Sequence, residues 1–251
     1  MDLQDLNVIV TGAASGMGRT FALEFVKAGS RVLAADVDEE GLATLTEEAG
    51  ENLKTVPCNV ADEDSVRAMF DAGIAAFGTI NGLVNNAGII RDGMLIKRDR
   101  ETGEIKPLSK KKWDQVIGVN LTGPFLCSRE FAARAAGAKH GGCIVSISSI
   151  SRSGNPGQTN YSAAKAGLIA MTKLWSQELS RYGIRTGAIA PGPVDTPILL
   201  QMPEKMRAGL TSMVPLRRFA KPEEIFHSVR FIFENEFFTG RCVDVDGGMV
   251  I

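Results

Sequence analysis

A β-rich segment runs through a glycine-rich turn into a helical segment in Asn7-Val8-Ile9-Val10-Thr11-Gly12-Ala13-Ala14-Ser15-Gly16-Met17-Gly18. The three glycines permit a tight turn and let backbone N–H groups approach an anionic ligand closely. The N-terminus of the following helix would stabilise negative charge at the same point. A glycine cluster alone is a weak signal, so the segments around it determine what it means.

A single acidic residue, Asp36, ends the next β-rich segment, eighteen residues beyond Gly18. In a strand-helix-strand unit that binds a dinucleotide, a carboxylate at this point accepts hydrogen bonds from the adenosine ribose. It would also repel the additional phosphate of NADP, so we expect NAD(H) to be preferred over NADP(H). Arg19 lies next to the turn and is the one nearby cation that could weaken this preference. A solvated turn carboxylate is the alternative interpretation of Asp36.

Short β-rich segments alternate with helical segments along the whole chain. The candidate strands are 7–10, 31–35, 53–56, 82–84, 143–147, 185–190 and 242–245, and the candidate helices are 17–28, 39–48, 62–77, 111–136, 158–182 and 222–234. This order predicts one α/β domain spanning 1–251, in which about seven parallel strands form a doubly wound sheet flanked by helices.

Two segments interrupt the alternation. The charged segment 91–110 contains a turn signal at Thr102-Gly103, which predicts a small surface hairpin as an insertion. The segment 191–215 contains five prolines and follows a strand, so we expect a mobile substrate lid there. A rigid surface connection is the alternative for this second segment.

Composition limits the classes of partner. Lys and Arg total 28 and Asp and Glu total 29, so the net charge of -1 argues against nucleic acid and membrane partners and favours a small molecule. The four cysteines have no paired spacing, and with only two histidines we expect no metal site. No secretory signal is visible after Met1, so we expect a cytoplasmic protein with reduced thiols.

Three residues in the second half of the chain form a candidate acid/base group. Tyr161 and Lys165 are four residues apart, so they share a face of the predicted helix, and Ser148 lies thirteen residues before Tyr161. At ~4 Å and an effective dielectric of ~20, the ammonium would attract a phenolate by ~4 kcal/mol, which moves a phenol pKa from ~10 toward ~7. Such a phenol could exchange a proton with an alcohol or ketone, and the serine could donate to the same oxygen. A solvated tyrosine beside a surface lysine is the commoner arrangement for this spacing.

Together these features resemble the short-chain dehydrogenase/reductase family. The resemblance covers nearly the whole chain and is carried by residues 11–18, Asp36, 85–88, Asn120, Ser148, Tyr161, Lys165 and Pro191-Gly192. It implies a Rossmann-type NAD(P)-binding domain and an oxidoreductase that transfers a hydride between NAD(H) and a secondary alcohol or ketone.

The resemblance assigns catalytic roles to four residues. Tyr161 would be the acid in ketone reduction and the base in alcohol oxidation, and Lys165 would depress its pKa while binding the nicotinamide ribose. Ser148 would polarise the substrate carbonyl; the thirteen-residue spacing selects it over the adjacent Ser149. Asn120 would hold a water molecule that connects Lys165 to solvent.

The resemblance also implies the residues that contact the cofactor. They are Gly12, Ser15, Gly16, Met17, Gly18, Asp36, Asn59, Val60, Asn86, Ala87, Gly88, Tyr161, Lys165, Pro191, Gly192, Val194 and Thr196. Asn59-Val60 departs from the Asp-Val that the family commonly has, so its amide oxygen would accept from the adenine amino group without a charge.

The substrate is less constrained than the cofactor. We expect Ser148, Asn155, Gln158 and Tyr161 to contact it, and the residues before Tyr161 resemble those of 3-oxoacyl thioester reductases. An NAD-dependent sugar, polyol or steroid dehydrogenase is the alternative, and a catalytically silent dinucleotide-sensing protein is an alternative of a different class. Family resemblance also implies a homotetramer or homodimer.

Overall fold

A parallel sheet forms the centre of the protein in a computed structural model that describes residues 1–200 and 202–250. The strands are β1 (Asn7–Thr11), β2 (Arg31–Asp36), β3 (Leu53–Pro57), β4 (Gly82–Asn85), β5 (Ile96–Arg98), β6 (Ile105–Pro107), β7 (Gly142–Ile147), β8 (Ile184–Pro191) and β9 (Arg241–Val245). Seven of them pair in the order β3-β2-β1-β4-β7-β8-β9, and every pair is parallel. The chain reverses its direction of winding between β1 and β4, so the predicted doubly wound α/β sheet is confirmed.

Helices cover both faces of this sheet. They are α1 (Gly16–Lys27), α2 (Glu39–Ala49), α3 (Glu63–Phe77), α4 (Lys110–Ile117), α5 (Gly123–Ala138), α6 (Thr159–Leu179), α7 (Pro197–Leu200), α8 (Glu204–Met213) and α9 (Pro222–Glu234). None of the helices within the described residues is long and apolar enough to cross a membrane.

The central strands β1, β4, β7 and β8 bury both of their faces, which explains their nearly continuous apolar sequences. In β1, Val8 and Val10 belong to the core beneath α1 and α9, whereas Ile9 belongs to the core beneath α3 and α5. The first core includes an edge-to-face pair, Phe25 and Phe233, with ring centroids 5.5 Å apart. Because each face is packed, the sheet is rigid and positions the loops at its carboxyl edge.

One predicted helix is interrupted. Residues 111–136 were expected to form a continuous helix, but a π-helical turn, Gly118–Thr122, separates α4 from α5. Pro124 has no N–H to donate to the carbonyl group of Asn120 four residues earlier, so the helix cannot keep its α-type hydrogen bonding there. The turn directs Asn120 into the interior, where it is fully buried.

The two exceptional segments adopt defined structures. β5 and β6 pair as an antiparallel hairpin around Thr102-Gly103, and all six of their residues are exposed. The segment 191–215 contains α7 and α8, which proline spacing alone did not predict. Gln201 within this segment and Ile251 at the end of the predicted domain lie outside the described residues.

Candidate active site

A cavity of about 510 Å³ opens at the carboxyl edge of the sheet, where segments that follow all seven strands of the parallel sheet meet. Most predicted site residues line it: Gly12, Ser15, Gly16, Met17, Asp36, Asn59, Val60, Asn86, Ala87, Gly88, Ser148, Asn155, Gln158, Tyr161, Lys165, Gly192, Val194 and Thr196. Gly18, Asn120 and Pro191 are not among its wall residues. The glycine-rich turn and the Tyr161 helix therefore share one cavity.

The glycine-rich turn lies against the loop that follows β4. A Cβ atom on Gly18 would lie 2.0 Å from the carbonyl oxygen of Gly12, and one on Gly12 would lie 2.7 Å from the Cα of Ala87. The Asn86 amide donates to the carbonyl oxygens of Thr11, at 3.0 Å, and Gly12, at 3.1 Å. Only glycine fits these two positions, so no side chain at Gly12 or Gly18 covers the backbone next to the N-terminus of α1. This cradle fits the pyrophosphate of a dinucleotide.

Asp36 lies on the cavity wall at the end of β2. Its Oδ2 accepts from the N–H of Ala14 at 3.0 Å, and its Oδ1 accepts from the N–H of Asp38 at 3.1 Å. The Arg19 guanidinium turns instead toward α2, where it pairs with Glu48 at 2.8 Å. The carboxylate is thus fixed beside the cradle, and the nearby cation is neutralised by a different acid.

Asn59 uses its side-chain oxygen locally. This atom accepts from the N–H of Ala61 at 3.1 Å in the turn that precedes α3. The expected contact with an adenine amino group would therefore have to share the oxygen with this backbone donor.

Tyr161 and Lys165 come together as their spacing predicts. The Lys165 Nζ lies 5.5 Å from the centroid of the Tyr161 ring and donates to the carbonyl oxygen of Ile147 at 2.7 Å. Burial lowers the pKa of Lys165 to about 8.

The pKa of Tyr161 differs in direction from the sequence expectation. Burial raises it, the hydroxyl of Ser149 opposes the rise, and the negative charge of Asp92 adds to it. The pKa expected from the sequence included the attraction between the Lys165 ammonium and the phenolate, but not the free-energy cost of placing a phenolate in a buried site. The phenol is therefore the stable form at neutral pH.

The hydroxyl groups of the adjacent Ser148 and Ser149 make different contacts. Ser148 is buried and its hydroxyl donates to the carbonyl oxygen of Lys165 at 2.8 Å. Ser149 is the serine whose side chain acts on the Tyr161 phenol. The Ser149 Oγ accepts from the N–H of Ser151 at 3.1 Å, which leaves its proton free to point into the cavity. The thirteen-residue spacing favoured Ser148, which also lines the cavity, whereas Ser149 is the serine that contacts the phenol.

Asn120 contacts the loop that follows β4 through its side-chain amide. Its Oδ1 accepts from the N–H of Ile89 at 2.8 Å, and its Nδ2 donates to the carbonyl oxygen of Ile89 at 2.9 Å. Both ends of the amide are therefore paired with backbone. The side chain clamps the loop after β4 and has one amide proton left over.

Asn155 and Gln158 line the cavity through a chain of side-chain hydrogen bonds. The Asn155 Nδ2 donates to the Gln158 Oε1 at 3.0 Å, and the Gln158 Nε2 donates to the Asp92 Oδ2 at 2.9 Å. Asp92 was missed by sequence reasoning, since it lies in a charged segment with no motif of its own.

Metal-binding side chains do not cluster in the part of the chain that the structure describes. All four cysteines are free, and burial raises the pKa of each thiol. The thiols are therefore protonated at neutral pH and poor ligands or nucleophiles.

Comparison with known proteins identifies relatives over the full chain. A family model described as Enoyl-(Acyl carrier protein) reductase matches residues 12–250. The 3-oxoacyl-(acyl-carrier-protein) reductase FabG of Thermotoga maritima is 39% identical over 256 residues, and the match covers 100% of both chains. A hydroxy(phenyl)methylsuccinyl-CoA dehydrogenase subunit, BbsD, of Thauera aromatica is 36% identical over 253 residues, covering 99% of this chain and 98% of the relative.

A solved structure shares the fold. The 3-ketoacyl-(acyl-carrier-protein) reductase from Brucella melitensis, crystallised in complex with NADH, matches with a TM-score of 0.87 at 27% identity, covering 99% of this chain and 100% of the other. The glycine cradle and the Tyr161–Lys165 pair lie in one cavity, and the strand order is that of a doubly wound sheet, as the resemblance implied. The chain therefore belongs to the short-chain dehydrogenase/reductase family of oxidoreductases.

Proposed function

We propose that the protein transfers a hydride between NAD(H) and the 3-position of a 3-oxoacyl or 3-hydroxyacyl thioester. The observation that carries the proposal is the Tyr161 phenol, which lies with Lys165 and Ser149 on the wall of the cavity that also contains the glycine cradle. Two relatives of different organisms, the FabG and BbsD proteins, are named for reactions of acyl thioesters, which supports this substrate class.

The residues of the chain can hold and protonate a ketone. The bound dinucleotide would supply the hydride. The Ser149 hydroxyl can donate to the substrate oxygen, because it lies beside the Tyr161 phenol on the cavity wall and the N–H of Ser151 uses only an acceptor position of its oxygen. Tyr161 is protonated at neutral pH, so it can deliver a proton to the same oxygen as negative charge develops there. Lys165, held by the Ile147 carbonyl, provides the compensating positive charge.

The raised pKa of Tyr161 favours the reductive direction. An acid must carry its proton at working pH, whereas a base for alcohol oxidation must first lose it. With the pKa above its ordinary value, the neutral phenol predominates at pH 7.

A preference for NAD(H) is part of the proposal and rests on Asp36. The carboxylate is fixed at the end of β2, and Arg19 is paired with Glu48. An additional phosphate on the adenosine ribose would meet uncompensated negative charge there. In Asp36→Ala we expect the ratio of kcat/KM values for NADH and NADPH to fall toward one. A ratio that stays at the wild-type value would contradict the ribose contact.

The proposal also assigns roles to the two segments that interrupt the alternation of strands and helices, 191–215 and 91–110. We infer that α7 and α8 form a substrate lid, because Leu199 and Leu210 line the cavity. The segment 91–110 is proposed to be a charged insertion within a single 1–251 domain.

Exposed apolar side chains, Phe125 on α5 and Leu174 on α6, support association into a homotetramer or a homodimer.

Turnover of a model thioester tests the main proposal. We expect the purified protein to oxidise NADH in the presence of acetoacetyl-CoA, and Tyr161→Phe to lower kcat by roughly 10²-fold or more while NADH binding is retained. Sugar alcohols and steroids serve as competing substrates in the same assay. Turnover of one of these, with none for the thioester, would contradict the assigned substrate class.

A further inference from the structure

Two loops meet across the mouth of the cavity. The N–H of Gly93, in the loop after β4, donates to the carbonyl oxygen of Gly157 at 2.8 Å, and Gly93 also forms a parallel bridge with Gln158. The Lys112 Nζ, on α4, donates to the carbonyl oxygen of Asp92 at 2.9 Å. These bonds join the segment that carries the hairpin to the turn that precedes Tyr161.

The side chain of Asp92 extends this junction into the cavity wall. Its Oδ2 accepts from Gln158, and Gln158 in turn accepts from Asn155. A carboxylate can only accept hydrogen bonds, so Gln158 must present its NH₂ group to Asp92 and its carbonyl oxygen to Asn155. Asn155 must then present its own NH₂ group, and its carbonyl oxygen remains for a ligand. The negative charge of Asp92 thus determines how the Gln158 and Asn155 amides are oriented on the cavity wall.

Asp92 also places a charge near the Tyr161 phenol. Among the described residues, two charged groups act there from different elements: Asp92 from the loop after β4, and Lys165 from α6 itself. Lys112 reaches the Asp92 backbone, while Arg91 turns to the carbonyl oxygen of Ile90. Burial is the main cause that opposes formation of a phenolate, and the charge of Asp92 adds to it.

We propose that Asp92 is a positioning residue for the reaction at Tyr161, which orients the Gln158 and Asn155 amides and places a negative charge on the side of the cavity that holds the phenol. This deepens the proposed function, on which it rests for its kinetic consequences. The charge does not touch the substrate, and it acts through Gln158 and through the field at the phenol.

Tyrosine absorbance tests the proposal without any substrate. The chain has only two tyrosines, and the other one, Tyr182, is exposed in the short 3-10 turn that follows α6. In a Tyr182→Phe background, the ultraviolet absorbance of tyrosinate reports Tyr161 alone. We expect Asp92→Asn to lower the titration midpoint of Tyr161 by a few tenths of a pH unit, a small shift because Asp92 is exposed to solvent. Far-UV circular dichroism over the same range verifies that the protein remains folded.

Two matched variants separate the charge from the shape. Asp92→Glu retains the negative charge and is expected to keep the midpoint. Asp99→Asn makes the same substitution on the hairpin, where Asp99 pairs with Lys106, and is expected to leave the midpoint unchanged. A midpoint that is the same in Asp92→Asn as in the parent protein would overturn the proposal, even if the protein turns over no thioester.

Kinetics supply the second arm. Asp92→Asn should raise KM for acetoacetyl-CoA roughly fivefold and move the alkaline limb of the kcat profile to lower pH. If Asp92→Asn does not fold, Gln158→Met removes the same hydrogen bond and leaves the charge, so it should raise KM and keep the pH profile. A wild-type KM in Gln158→Met would overturn the orienting role.

Discussion

At the scale of single residues, the neighbouring Ser148 and Ser149 have separable roles. Ser149→Ala removes the hydroxyl beside Tyr161, so we expect kcat to fall by roughly 10²-fold with no change in stability. Ser148→Ala removes a buried hydrogen bond to the Lys165 carbonyl, so we expect a loss of about 1 kcal/mol of unfolding free energy and most of the turnover retained. Steady-state kinetics and urea unfolding on both variants measure the difference. The reverse pattern would return the catalytic role to Ser148.

Lys165 is expected to lower the stability of the protein in exchange for its chemical role. Its pKa of about 8 lies below the ordinary value, so the folded state binds its proton less tightly than the unfolded state. Wild-type stability should therefore rise as pH increases from about 8 toward the pKa of the unfolded chain. Lys165→Met should be more stable than wild type at pH 7 by roughly 2 kcal/mol, after allowance for the lost bond to Ile147.

Chemical unfolding of both proteins across this pH range measures the gap. It should narrow as Lys165 loses its proton in the folded wild type. A gap that is constant with pH would mean that burial does not lower the pKa of Lys165 in the folded protein.

At this scale, the sequence indicated candidate site residues more successfully than the hydrogen-bond contacts and burial of their side chains. Tyr161 and Lys165 were singled out because they share a helix face and Asp36 because it ends a strand, and all three line one cavity. The choice between two serines depends on the length of one turn, which spacing cannot measure. The pKa of Tyr161 depends on burial, and Asp92 depends on a contact between segments that are 66 residues apart.

At the scale of elements, the π-helical turn determines where the loop after β4 lies. Asn120→Ala leaves the N–H and carbonyl groups of Ile89 without partners, and we expect a loss of roughly 2 kcal/mol in unfolding free energy together with a lower kcat. Gln115→Ala, on the exposed face of α4, is the matched control and should change neither quantity. Equal stability of both variants would contradict the clamp.

The central strands were predictable because each is a short apolar run that is buried on two faces. Helices were predictable where their apolar residues face one of the two cores. The break at Gly118–Thr122 was signalled by Pro124, whose effect on the preceding turn the sequence interpretation did not use. α7 and α8 were missed because prolines at 197 and 203 begin helices there, whereas proline spacing suggested a loop.

At the scale of the whole molecule, the hairpin of β5 and β6 lies outside both hydrophobic cores. Ile96 and Pro107 are paired across its base, so an Asn-Gly turn can replace residues 97–106. We expect this replacement to leave the melting temperature within a few degrees of wild type, since no buried side chain is removed. Differential scanning calorimetry measures the change. A large loss of stability would show that the hairpin supports the fold.

Two crossed hydrogen bonds join the end of β7 to α6: the Ser148 hydroxyl donates to the Lys165 carbonyl, and the Lys165 ammonium donates to the Ile147 carbonyl. The strand and the helix cannot separate without breaking both bonds in a buried environment. The wall that holds the phenol is therefore the stationary side of the cavity. With α7 and α8 as the proposed lid, we expect the residence time of product to depend on these two helices rather than on the reacting groups.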